Sequence, residues 1–198
     1  LSPESFENMV NFFEAHYEET DVVAMPIWFT GAKKGPHPQN NKFSKGTRVI
    51  DLSKEHDCFQ MSLAASLIKK EVAHIIEADR EIVTAEDAKE LFKILLLKNT
   101  LGVVCEARYN YLKRSDSSVG GAQMKKGWYT TYLTNFPQYA FDYCIKKLGY
   151  VPKFVQYTVM HDLQWKFTTS HIPALHHHRP CLCGSGHCRD KKPEKEHH

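Results

Sequence analysis

The chain has 198 residues, 42% hydrophobic and 25% charged, and its 26 Lys and Arg against 23 Asp and Glu leave a formal net charge of +3. These values fit one globular domain with a short appendage and exclude a disordered polyelectrolyte. So small a surplus of base does not by itself support nucleic-acid binding, and apolar runs such as "ILLLKNTLGVVC" are broken by Lys98 and Asn99 well short of a bilayer span.

In chain order, "LSPESFENMV" lacks the basic and apolar regions of a signal peptide and does not begin with Met, so it is expected to be a boundary within something longer. Ser2, Pro3 and Glu4 supply a capping oxygen, a ring-fixed φ and an acid at the positive end of a dipole, which predicts a helix running to about Glu19. "DVVAMPIWFTG" predicts a strand that Pro26 breaks or confines to an edge. The loop 32–48 is basic and rich in Gly and Pro, which suits a solvated connection. "RVIDL" predicts a short strand, and "CFQMSLAASLIKKEVAHII" a helix, with Leu63, Leu67, Val72, Ile75 and Ile76 at helical spacing.

Thr84 and Asp87 form a variant capping box opening a helix over "AEDAKELFKILLLK", and a further helix is predicted through "GVVCEARYNYLKR". "SDSSVGGAQ" is a loop by composition. Pro137 and Gly149 bracket a helix, and the alternation in "KFVQYTVMHDLQWKFTTSHI" predicts two strands meeting near His161. Together these predict an α+β fold: a helix-rich single domain with a small antiparallel sheet over residues 1–172, and a Cys/His-rich appendage over 173–198.

Two stretches carry chemistry. In the first, three of the six cysteines crowd into "CLCGSGHC" beside a histidine run. Such short spacings let a chain bind a tetrahedral Zn²⁺ twice, with Cys181, Cys183 and Cys188 as thiolates and His178 or His187 open as the fourth ligand. The last two histidines are set aside as a possible purification remnant. In the second, Cys58 stands where a strand and turn give way to the predicted helix, and a helix N-terminus stabilises a thiolate. His161 and His171 lie later in the chain as candidate bases, with Asp162 available to orient His161. The pattern of cysteine usage predicts a reducing, intracellular compartment, cytoplasmic or nuclear. Glu71 and His74 form only half of a di-iron set, the aromatics of "WYTTYLTNFPQYAFDY" suit a core, and P-loop, GxGxxG and HExxH motifs are missing.

The string "RPCLCGSG" resembles the SEC-C zinc motif, which implies that Cys181 and Cys183 bind zinc and that the tail docks onto protein or nucleic acid. "VIDLSKEHDCFQMSLAASLI", "IVTAEDAKELFKIL" and "FTTSHI" together resemble the ovarian-tumour (OTU) family of papain-like cysteine proteases. That resemblance implies Cys58 as nucleophile and His171 as base, acting on protein or peptide substrates such as ubiquitin-like proteins or a polyprotein. The favoured expectation is therefore a thiol hydrolase with a zinc-binding docking tail. The alternative is a non-enzymatic zinc module that binds protein or, through loop 32–48 and the tail, nucleic acid; neither reading involves a membrane.

Overall fold

The structure, a computed structural model, describes residues 1–77, 85–114 and 126–167. It is α+β, as the sequence predicts, but its strands form two small mixed sheets and not one antiparallel sheet. Helix α1 (Pro3–Ala15) starts as expected: the Ser2 side chain accepts a hydrogen bond from the Ser5 N–H at 3.2 Å, with Pro3 in the first turn. Its buried face brings Met9 onto Val23, Ala65 and Val104.

Strand β1 (Val22–Ala24) is buried at all three positions because it lies inside the larger sheet. On one side it pairs antiparallel with β5 (Ser66–Ile68), and on the other parallel with β6 (Thr100–Val103). Strand β4 (Arg48–Asp51) closes the far edge against β6. Gly102 is required in β6, since a Cβ there would come within 2.8 Å of the Phe12 ring and 2.9 Å of a Val23 methyl.

Pro26 breaks the predicted strand as expected, and the chain re-enters as β2 (Ile27–Gly31) in a second sheet. There β2 pairs parallel with β7 (Tyr109–Lys113) and antiparallel with the short β3 (Gly35–Pro36). Two predicted helices are thus something else. "GVVCEARYNYLKR" ends β6 and supplies β7, its Val, Tyr and Leu residues filling places in the two sheets. The segment after Cys58 is a 3₁₀ turn (Leu63–Ala65), β5 and a second 3₁₀ turn (Lys70–Ile75), because Leu67 pairs with Val23 across the sheet.

Helix α2 (Glu86–Lys98) buries Leu91, Phe92, Ile94 and Leu95, and ends where Asn99 adopts a left-handed conformation with φ of 56° and donates its N–H to Leu95 O. Its N-terminus is not a capping box: Ala85 occupies the cap position with no side-chain bond. After a π-helical turn (Thr134–Gln138) around Pro137, helix α3 (Tyr139–Leu148) ends at Gly149, whose φ is 79°. Helix α4 (Lys153–Phe167) replaces the two strands expected around His161. Phe154, Val155 and Val159 recur at helical spacing on its buried face, beside Phe136, Ala140 and Cys144, and this anchoring outweighs the β-rich composition.

Candidate functional site

A cleft runs between the 3₁₀ turn Pro38–Phe43, strands β2 and β7, and helix α4. It consists of two adjoining hollows of about 310 and 320 Å³ that share Pro38, Gln39 and His161. The outer hollow is walled by Asp57, Phe59 and Tyr157. The inner one carries three aromatic side chains, Phe29, Tyr111 and Trp165, together with Lys33, His37 and Lys113.

The turn that forms one wall is pinned to β2. Asn40 Nδ2 donates to Ile27 O at 2.8 Å, Asn40 Oδ1 accepts from Ile27 N at 3.1 Å, and the His37 N–H also reaches Ile27 O. His37 caps the turn: its Nδ1 accepts from the Gln39 N–H at 3.2 Å, so the neutral ring carries its proton on Nε2. Burial, and then the charge of Lys42 and the neighbouring His161 and Lys33, lower His37 to about 4. Lys42 lies beneath, 3% exposed, and donates to Phe59 O at 2.8 Å. With no carboxylate bonded to it among the described residues, burial lowers Lys42 to about 7.

Helix α4 presents His161 edge-on to Phe59, with ring centroids 5.4 Å apart and Gln164 Nε2 3.1 Å from its Nδ1. Burial lowers His161, opposed by Asp162 and assisted by Lys42. Asp162 lines the inner hollow beside it. Outside the lining of that hollow, Asp87 Oδ2 accepts at 2.9 Å from the N–H of Leu63, the residue after the lining Ser62. Burial is the largest influence on Asp87 and raises its carboxyl above the ordinary value.

The expected nucleophile has different surroundings. Cys58 is 7% exposed within the larger apolar core, and no helix begins at it. Its Sγ lies 3.9 Å from Asp57 Oδ1, and burial followed by Asp57 and Glu55 raises the thiol pKa, the reverse of activation. The proposed base His171 and the proposed zinc ligands Cys181, Cys183, Cys188, His178 and His187 lie outside the described residues. Among the described residues no group of three or more His, Cys, Asp or Glu side chains could hold a metal. In the basic loop 32–48, Lys42 is buried and Glu55 binds Lys45 at 2.8 Å and Arg48 at 2.6 Å. Among the described residues, no helix is long and apolar enough to cross a membrane.

Comparison with known proteins points elsewhere than to either expectation. The chain is 37% identical over 174 residues, 87% of its length, to the minor teichoic acid biosynthesis protein GgaB of Bacillus subtilis (strain 168). It is 30% identical over 138 residues, 68% of its length, to the minor teichoic acid biosynthesis protein GgaA of the same organism. It spans only 19% of GgaB and 30% of GgaA. No family model matches.

These relatives overturn the OTU-like thiol hydrolase, whether deubiquitinase or polyprotein protease, and equally the SEC-C-like zinc module. The short motif matches that suggested them are outweighed by identity along most of the chain, and Cys58 is a core residue. Sequence reading missed His37 and Lys42. His37 sits between two prolines in what reads as a solvated loop. The signal for Lys42 is faint: an apolar neighbour, Phe43, within a basic stretch.

Proposed function

We propose that this chain is part of a glycosyltransferase of teichoic acid biosynthesis, and that its cleft binds a sugar-bearing substrate. The observation that carries this is the 37% identity to GgaB along 87% of the chain. The cleft is chemically suited to the task. Phe29, Tyr111 and Trp165 offer apolar faces for the C–H surface of a sugar ring, and Lys33 and Lys113 offer cations beside them.

In such a transfer an acceptor hydroxyl oxygen bonds to the anomeric carbon of a sugar. The bond from that carbon to a phosphate oxygen breaks, its electron pair leaving with the phosphate, and the hydroxyl proton passes to a base. Asp162 is the candidate base, since its carboxylate lines the same hollow as the three aromatic side chains.

The test is a chimera of GgaB in which this chain replaces the matching segment, expressed in cells lacking GgaB, with wall teichoic acid read as polymer phosphate. The chimera restores polymer, and Asp162→Asn lowers transfer about 10²–10⁴-fold at unchanged protein level, the range for a lost general base. A folded chimera that makes no polymer, or an Asp162→Asn chimera as active as the parent, would sink the reading.

A further inference from the structure

Four nitrogen-bearing side chains converge on the inner hollow from three directions. Lys33 comes from the loop after β2, Lys113 from the end of β7, His37 from the cap of the 3₁₀ turn, and His161 from α4. Lys42 lies under the same wall, close enough for its charge to act on both imidazoles. Among the described residues the acids that line the two hollows are Asp162 in the inner one and Asp57 in the outer one. Among the described residues neither Lys33 nor Lys113 is ion-paired; Lys33 Nζ rests 4.8 Å from the centroid of the Phe29 ring.

We propose that this inner hollow is a subsite for a phosphate ester, held by Lys33, Lys113 and the two imidazoles. The assignment rests on the transferase reading for its choice of substrate. A planar carboxylate is matched by the fork of one arginine, whereas a tetrahedral anion with several oxygens is matched by point donors spread around a hollow. The His37 ring contributes a fixed donor: its Nδ1 is occupied by the Gln39 N–H, which leaves Nε2–H as the free polar edge. The aromatic walls then take the sugar or polyol that the phosphate carries.

The phosphate could belong to the leaving group of the sugar donor or to the backbone of the growing polymer, and the two differ in charge and substitution. Isothermal titration of the 198-residue chain with glycerol 3-phosphate, a monoester, and glycerophosphoglycerol, a diester, separates them, with glycerol as the uncharged control. At least one phosphate binds and glycerol does not; preference for the monoester assigns the donor, and preference for the diester assigns the polymer. Lys33→Gln and Lys113→Gln, both at the cleft surface, each weaken binding about tenfold, as expected for one charge-assisted hydrogen bond.

The subsite is overturned if both phosphates bind no better than glycerol, or if the double Lys33→Gln, Lys113→Gln variant binds as tightly as the parent. The GgaB chimera keeps the two conclusions apart. Normal polymer from a chimera carrying both Gln substitutions removes the subsite and leaves the transferase reading standing. Loss of polymer from the unsubstituted chimera, with phosphate binding intact, does the reverse.

Discussion

Two buried lysines show how differently the two sides of this molecule are built. Lys93, on α2, bonds Glu90 at 2.6 Å, and both side chains are about 5% exposed or less. Burial pulls Lys93 down, but the Glu90 hydrogen bond and charge more than reverse it, so its ammonium is held above its ordinary value. Lys42, beneath the cleft, is as deeply buried but has the Phe59 carbonyl and the Phe43 ring beside it and, among the described residues, no carboxylate partner, and it falls to about 7. The α2 side fixes its charges by pairing them. The cleft side keeps nitrogens whose charge is held in reserve, a property useful where a ligand supplies the missing anion.

Breaking the pair is the largest expected effect. Glu90→Gln leaves a buried ammonium with Ile75 O and the exposed Glu77 as partners, and should cost about 3–5 kcal/mol in chemical denaturation. On the same side, Gly102→Ala pushes a methyl into Phe12 and Val23 and should cost about 1–3 kcal/mol by the same measurement.

The cleft side is tested through pH. Lys42 has a folded value of about 7 against 10.5 when free, so the unfolded chain binds more protons between those limits and stability from this group rises with pH across them. Lys42→Met should change stability by no more than about 2 kcal/mol at pH 7 and reduce the gain in urea midpoint between pH 7 and 9. His37 has a folded value of about 4 against 6.5, so its contribution is present above 6.5 and is lost as pH falls toward 4. His37→Asn keeps a capping oxygen and should flatten that acid limb.

The smallest effect belongs to Cys58: Cys58→Ala should cost about 1 kcal/mol, and iodoacetamide at neutral pH should leave the native thiol largely unmodified. Rapid, selective alkylation of Cys58 would contradict its burial and its raised pKa.

What could be read from the sequence was local. The Ser2 cap, the break at Pro26 and the Gly149 stop depend on one residue and its neighbours, and each is in the structure. The α+β class follows from the same local signals. The errors arise where tertiary pairing decides. Leu67, Val72 and Ile75 have helical spacing, yet the first belongs to a strand and the others to a 3₁₀ turn. The segment with Val155, Tyr157 and Val159 alternates like a strand and is a helix, because only a helix brings Phe154, Val155 and Val159 onto the core together.

The cleft was less legible still, because its members come from segments far apart in the chain and none carries a motif. His161 and Asp162 are the cleft residues that the sequence singles out, and their place there bears on a different chemistry from the one expected of them.

The parallel pairing of β1 with β6 and of β2 with β7 has a consequence for how the protein is made. Val23 meets Gly102 and Gly31 meets Lys113, partners roughly 80 residues apart. The larger sheet cannot close until β6 has been synthesised, nor the smaller until β7, so during translation β1 and β2 wait with one edge each unpaired, β1 beside β5 and β2 beside β3. Closing so long a loop is slow compared with forming a helix, and for that interval the nascent chain is exposed to aggregation.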